Sequence, residues 1–331
     1  MNRVLVTGGA GFIGSHLVER LLSVGCHVTV FDNFSSGSIE NLASVKSHPR
    51  IRIVKGDIMD LNMLNEEFRD VDTVFHMAAV VGVKKYVENP LKVLLVNSFG
   101  TYNVLEAARK NGVERIIFAS TSEIYGKNKN IPLREDADRV LGPTNIDRWT
   151  YSTAKAFDEH LCFSYMKTYG LKITILRYFN IYGPRQESSE YGGVVAIFIK
   201  RVLSNKPPIV LGTGKQTRAF TYISDAIDGT MLASEKKEAI GEAFNIGSRN
   251  EITILELANL IIELAGKKGV LKPVIEPYEY FYGRSYEDIM RRVPDISKAE
   301  RILGYKPKVN LRDGLKKTIE WFKKTCKCSA R

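Results

Sequence analysis

Long apolar runs are missing from this chain: none of its 331 residues fall in a stretch near the ~20 apolar residues that a membrane-spanning helix needs. Cysteine is scarce as well. Cys26, Cys162, Cys326 and Cys328 are the only four, too few for a disulfide framework at this length. The last two form a C-x-C, but no His/Cys pair stands at zinc spacing, so no metal is expected. A secretory leader is not visible, because Met1 leads almost directly into the strand-like Val4-Leu5-Val6, and the cytoplasm is the expected compartment. Charge runs are also lacking. The formal charge is +11, yet lysines and arginines are scattered, with only a mild cluster near the C-terminus. No aromatic-and-basic recognition motif accompanies them, so nucleic acid is not expected. A basic surface of this kind instead helps to attract a small anionic substrate.

What is present is ordinary globular composition, 44% hydrophobic and 26% charged, enough for one large domain or two intimately joined ones. Short β-branched runs at 3–7, 27–32, 51–55, 73–77, 115–120 and 172–178 alternate with helical patterns at 14–24, 61–68, 90–110 and 151–169. That alternation predicts an α/β fold, a Rossmann-type doubly wound parallel sheet. Beyond residue 180, prolines and glycines punctuate the chain, and helical patterns return at 197–204, 223–234, 254–264, 297–303 and 311–323. The expected organisation is a cofactor-binding region over 1–180, to which 219–248 can return, and a smaller C-terminal α/β substrate region over 181–331.

Gly8, Gly11 and Gly14 stand in Thr7-Gly8-Gly9-Ala10-Gly11-Phe12-Ile13-Gly14, between the first strand and the first helix. Glycines allow a tight turn there and let a pyrophosphate approach amide groups at the helix N-terminus. Phe12 and Ile13 join this set. Asp32, followed by Asn33, ends the second strand, where a carboxylate binds adenosine ribose hydroxyls and repels a 2′-phosphate. NAD is therefore expected rather than NADP. Asp57 and Ile58 end the third strand, where a plain turn is the competing reading.

Tyr151 and Lys155 lie four residues apart on one predicted helix, so their side chains share a face. An ammonium beside a phenol favours the phenolate, which suits Tyr151 to act as a base. Ser120-Thr121-Ser122-Glu123-Ile124-Tyr125-Gly126 follows a strand, at the carboxyl end of the sheet where ligands bind.

These motifs, with Phe75-His76-Met77-Ala78-Ala79, Asn97 and Arg177-Tyr178-Phe179-Asn180-Ile181-Tyr182-Gly183-Pro184-Arg185, fall in one order along nearly the whole chain. In that order they resemble the extended short-chain dehydrogenase/reductases, specifically the NAD-dependent nucleotide-sugar epimerase/dehydratase family. The resemblance implies that Thr121 bonds the reacting hydroxyl, Tyr151 removes its proton and Lys155 supports both Tyr151 and the nicotinamide ribose. It implies that Ala78, Ala79, Asn97 and Asp57 help to bind NAD. It further implies substrate contacts from Asn180, Arg185, Val194, Arg218, Arg284 and Asp288, a nucleotide-diphosphate sugar as substrate, and a homodimer built on the helices at 90–110 and 151–169.

Members of this family begin by oxidising C4 of the sugar. The 4-keto sugar is then re-reduced from the other face, decarboxylated if C6 is a carboxylate, or dehydrated. Family dehydratases carry Thr-Asp-Glu in the loop after the strand, whereas this chain has Thr121-Ser122-Glu123. Thr-Ser-Glu resembles UDP-glucuronate decarboxylases, in which Glu123 and the arginine matching Arg218 would assist loss of carbon dioxide. A UDP-hexose 4-epimerase is the first alternative, followed by a dehydratase variant and a non-catalytic NAD-binding regulator.

Overall fold

The computed structural model describes residues 2–189, 192–279 and 287–328. Apolar β-branched runs form β1 (Arg3–Thr7), β2 (His27–Asp32), β3 (Ile51–Lys55), β4 (Thr73–His76), β5 (Arg115–Thr121) and β6 (Ile173–Tyr178). Between them lie α1 (Phe12–Ser23), α2 (Leu61–Glu67), α3 (Val83–Glu88), α4 (Pro90–Lys110) and α5 (Thr150–Tyr169). The second half adds short strands β7 (Ile181–Tyr182), β8 (Ile209–Leu211), β9 (Thr217–Ala219), β10 (Thr221–Tyr222), β11 (Ala243–Ile246), β12 (Glu251–Thr253), β13 (Val274–Glu276) and β14 (Arg291–Arg292). Its helices are α6 (Val194–Leu203), α7 (Ile223–Glu235), α8 (Ile254–Leu264), α9 (Ser297–Leu303) and α10 (Leu311–Cys328).

The main sheet has seven strands in the order β11-β6-β5-β4-β1-β2-β3, and each pairing in it is parallel. Both faces are covered, so every residue of β6 is buried. Leu17, Val18 and Leu21 of α1 join a core with Val28, Val30 and Phe244 on one side. Val104 and Leu105 of α4 meet Leu5, Val74 and Phe118 on the other. The strand order reverses between β1 and β4, which opens a crevice above their carboxyl ends, the place where open α/β sheets bind ligands.

Local chemistry sets the helix ends. Asn89 caps α4 by accepting the Lys92 N–H, and Pro90 fixes its first turn. Gly170 ends α5 in the left-handed region at φ 72°. Some boundaries differ from the sequence reading. Helix α1 starts at Phe12 because Gly11 already serves as its extended N-cap. Helix α6 starts at Val194, a turn earlier than expected, and β4 stops at His76. Strand β11 carries no clear sequence signal, because Asn245 interrupts its apolar run. Its amide is nevertheless satisfied in the interior, accepting from Tyr125 Oη (2.7 Å) and donating to Leu133 O (2.9 Å). The remaining strands make three small sheets, of which β12-β9-β14 lies beside the site described next.

Candidate active site

The cofactor end of the crevice is built from glycine geometry. Gly8 has φ +67°, and a Cβ on it would lie 2.8 Å from Ala78 Cα. A Cβ on Gly14 would come within 2.1 Å of Gly8 O, so neither position admits another residue without moving backbone. Gly11 meets only Gly8 O, at 3.1 Å, and no side chain caps α1. The first amides of α1 therefore face an open cradle, which fits the pyrophosphate of a dinucleotide. Phe12 and Ile13 form that first turn.

Asp32 is buried at the end of β2. Its Oδ2 accepts the Ala10 N–H (2.9 Å) and its Oδ1 the Phe34 N–H (2.8 Å). Burial pushes its carboxyl up, and those amides act against the push. Asn33 donates to Asp57 Oδ2 at 2.8 Å, so the ends of β2 and β3 meet as one polar rim. Ile58 packs against Gly100 of α4, where a Cβ would collide with it at 2.3 Å. Lys85 reaches Ser36 in the loop after β2 (3.2 Å), and its charge is matched by Glu187 at 3.5 Å. Asn97 is buried and spends its amide on the loop after β4, accepting Val80 N–H (2.7 Å) and donating to Val80 O (3.2 Å). It thereby fixes the residue that directly follows Ala78 and Ala79.

The chemical end lies at the carboxyl ends of β5 and β6. Thr121 ends β5 and caps the short turn Ser122–Tyr125, accepting the Glu123 N–H at 3.2 Å. Its hydroxyl also faces the Tyr151 phenol. Ser152 donates to the Glu123 carbonyl (2.7 Å), which locks the start of α5 onto the same turn. Ser122 is buried inside it. Tyr151 and Lys155 are far from an exposed surface pair, being 5% and 2% exposed. The Lys155 ammonium stands 3.9 Å above the Phe118 ring and 3.3 Å from Asp158 Oδ2. Burial, then Tyr86 and Glu123, hold the Tyr151 phenol well above its usual range in this state, with Thr121 opposing.

Glu123 is held by two arginines. Arg148 and Arg292 each bind one of its oxygens at 2.6 Å, and both guanidinium groups are buried. Burial alone would raise this carboxyl; the arginines outweigh it and hold it down to about 2. Arg292 Nε is buried without a hydrogen-bond partner among the described residues. Arg218, which the resemblance pairs with Glu123 in assisting decarboxylation, lies within reach of the Glu123 charge, but its hydrogen bonds run elsewhere. Arg218 is held by Asp288 (2.8 Å) and the Ile289 carbonyl (2.6 Å), and Tyr278 donates to Asp288 at 2.7 Å. The register explains this: Arg292 pairs with Arg218 on neighbouring strands, and it is Arg292 that reaches across to β5.

Asn180 adopts φ 44° between β6 and β7, a conformation asparagine tolerates, and donates to Ala219 O (2.9 Å). It thus stands beside Arg218. Val194 opens α6. Arg185 lies elsewhere, against Ser15 and Glu19 of α1, on the cofactor side of the crevice. Arg284 lies outside the described residues. Sequence reasoning missed Tyr86, whose ring stacks on Tyr151 with centroids 4.8 Å apart and planes 4° from parallel. No local pattern marks it. Arg148 and Arg292 are brought to Glu123 only by the fold. Among the described residues no cluster of His, Cys, Asp and Glu could hold a metal, and no helix is long and apolar enough to cross a membrane.

A glycine-cradled helix start, an acidic β2 end and a buried Tyr-x-x-x-Lys on a parallel sheet define an extended short-chain dehydrogenase/reductase. The GDP-mannose 4,6 dehydratase family profile matches residues 5–318. The UDP-N-acetyl-alpha-D-glucosaminuronate decarboxylase of Bacillus cytotoxicus is 43% identical over 97% of this chain and 98% of that protein. The structure of UDP-glucose 4-epimerase from Thermotoga maritima superimposes with TM-score 0.87 at 36% identity, covering 98% of this chain and 99% of the other. UDP-glucuronic acid 4-epimerase from Bacillus cereus, solved with UDP-glucuronic acid and NAD, gives 0.88 at 33% identity, with 98% and 99% covered. The chain belongs to the family of NAD-dependent nucleotide-sugar epimerases, dehydratases and decarboxylases.

Proposed function

We propose that the enzyme decarboxylates a UDP-linked uronate through a 4-keto intermediate. The observation that carries this reading is the Glu123 clamp. Two buried guanidinium groups, Arg148 and Arg292, converge on one carboxylate beside Tyr86 and Tyr151. A pocket with the unsatisfied Arg292 Nε–H suits an incoming carboxylate. A neutral hexose offers that N–H no charged partner.

Tyr151, oriented by Thr121, takes the proton of the C4 hydroxyl, and Lys155 supplies the positive field that stabilises the phenolate. NAD, held by the Gly8–Gly14 turn and Asp32, would supply the hydride acceptor for C4 and the hydride for its later reduction. The 6-carboxylate is then β to a ketone. The C5–C6 bond breaks, carbon dioxide leaves, and the electron pair passes to the C4 oxygen, where protonated Tyr151 and Thr121 can stabilise it; the enolate then takes a proton at C5 from solvent water, which restores the C4 ketone for reduction. Arg148 and Arg292 orient the carboxylate beforehand. Glu123, held ionised, keeps them apart and aimed; it is not the proton donor to C5 in this arrangement. Arg218, Asn180 and Asp288 are assigned to the nucleotide diphosphate, a reading supported by the Arg218 fork, which suits phosphate oxygens.

A 4-epimerase acting on a uronate is the second reading. The same carboxylate clamp would serve it, and the similarity to UDP-glucuronic acid 4-epimerase favours it. Binding discriminates the uronate reading from a neutral-sugar one. UDP-glucuronate should displace UDP from the NAD-loaded enzyme far better than UDP-glucose does, and Arg292→Met should erase the difference. Equal displacement by both sugars would contradict a carboxylate site.

A further inference from the structure

Asp158 is a buried ionisable group for which the chemistry above has no use. It sits one helical turn after Lys155 with its side chain 0% exposed, against 2% for the lysine. Neither carboxylate oxygen has a hydrogen-bond partner within normal geometry, so the ammonium 3.3 Å away is its counter-ion. An isolated buried carboxylate is costly, and a chain keeps one beside a catalytic lysine only where the pair is compensated.

The surroundings leave Asp158 and Lys155 to each other. From α5, Glu159 is already held by Arg177 at 2.6 Å, and Cys162 is a buried thiol. From α4 the Thr101 hydroxyl faces Asp158. From β4, His76 approaches through Thr101. The Ala78 N–H donates to Thr7 Oγ1 (3.3 Å), so the Thr7 hydroxyl is free to donate to His76 Nδ1 (2.7 Å). His76 Nε2–H then points at Thr101 Oγ1 (3.1 Å), which turns the Thr101 proton toward the carboxylate. Burial, with a contribution from Lys155, holds His76 down to about 3, so it is neutral and consistent with this direction. Phe118 of β5 brings only its ring face. A line of oriented groups thus runs from the cofactor loop at Ala78 to Asp158 and Lys155.

We infer that Asp158 is a positioning residue: it anchors the Lys155 ammonium one helical turn along α5 from Tyr151 and tempers the positive field that the tyrosine feels. The inference rests on the assignment of Tyr151 as base. The Asp158 charge also acts on Tyr151 directly, in the direction that disfavours the phenolate. Burial raises the Asp158 carboxyl to about 6, with Lys155 opposing, so the restraint operates above that pH and fades below it. Removing the charge therefore makes Tyr151 ionise at lower pH.

The test is an ultraviolet titration of the phenolate in the NAD-loaded protein, taken as the difference between each parent and its Tyr151→Phe partner. In Asp158→Asn the Tyr151 midpoint should fall by on the order of one pH unit, as expected for loss of a close like charge. Asp158→Glu keeps the charge and should return the midpoint to that of the parent. Asp158→Ser removes the charge with less bulk and carries the expectation of the asparagine variant should that chain fail to fold. A loss of packing alone would leave the midpoint in place. An unchanged or higher midpoint without the charge overturns the inference while leaving Tyr151 as base. Absence of any Tyr151 step in the parent difference overturns the base assignment itself.

Discussion

Arg292 donates to Glu123 at 2.6 Å across 169 positions of chain, joining the last small strand of the second half to the turn that follows β5. This one bond ties the region that reads as substrate-binding to the turn that carries Thr121.

Glu123→Gln should show both the structural and the chemical side of that bond. Above the ordinary carboxylate range the clamp is fully formed, and it is lost only as pH falls toward about 2, because the folded carboxyl is depressed. Neutralising Glu123 removes the carboxylate that Arg148 and Arg292 share, which costs about 3–5 kcal/mol by analogy with broken buried pairs. The melting temperature of the variant should drop at neutral pH. UDP-glucuronate should restore more of it than UDP-glucose does, since only the uronate brings a replacement carboxylate. Equal rescue by both sugars would count against the clamp as a carboxylate site.

Tyr151→Phe keeps the ring that stacks on Tyr86 and removes the base. Turnover should fall by about 10²–10⁴-fold, while NAD affinity and melting temperature stay close to the parent. Retained turnover would remove Tyr151 from the mechanism.

Cofactor choice follows from Asp32. The loop Asn33-Phe34-Ser35-Ser36-Gly37-Ser38 brings no lysine or arginine of its own. Like charges brought together cost several kcal/mol, so NADP should bind at least ~10²-fold more weakly than NAD. Asp32→Asn should narrow the gap in a fluorescence titration. Matching affinities for both cofactors in the parent would remove the role given to Asp32.

Assembly follows from an uncovered stripe. Leu91, Leu95, Phe99 and Tyr102 stand exposed at helical spacing on α4, and Phe157 and Phe163 on the adjoining α5. Two copies pairing these helices would bury them. Light scattering should give twice the 37.2 kDa chain mass, and Phe99→Glu should shift the protein toward monomer. A parent that remains monomeric at micromolar concentration would exclude this pairing.

The cofactor half was largely legible because its signals are local. The Gly8, Gly11 and Gly14 spacing encodes a turn, alternating apolar runs encode the sheet, and Tyr151 and Lys155 meet through helical periodicity alone. The substrate half was not, because its contacts are set by register between distant short strands. Arg218 and Arg292 sit side by side on β9 and β14, and nothing in their local sequence tells which one reaches Glu123. Asp158 was invisible for a similar reason. Sequence spacing puts it near Lys155, but only the packing of α4, β4 and β5 around α5 excludes solvent from both. Phe157, Leu161, Tyr165 and Tyr169 recur at four-residue spacing on α5, yet Phe157 and Tyr169 are exposed while Tyr165 is buried, because four-residue steps drift around the helix.

The most direct test follows the carboxyl carbon. The NAD-loaded enzyme is incubated with UDP-glucuronate and, separately, UDP-N-acetylglucosaminuronate, each labelled at C6, with trapped carbon dioxide and the product mass both read. The account predicts label in the trapped gas and a UDP-sugar lighter by one carbon dioxide from at least one of the two. Label retained in a UDP-uronate of unchanged mass, with C4 inverted, would contradict decarboxylation and establish the epimerase in its place.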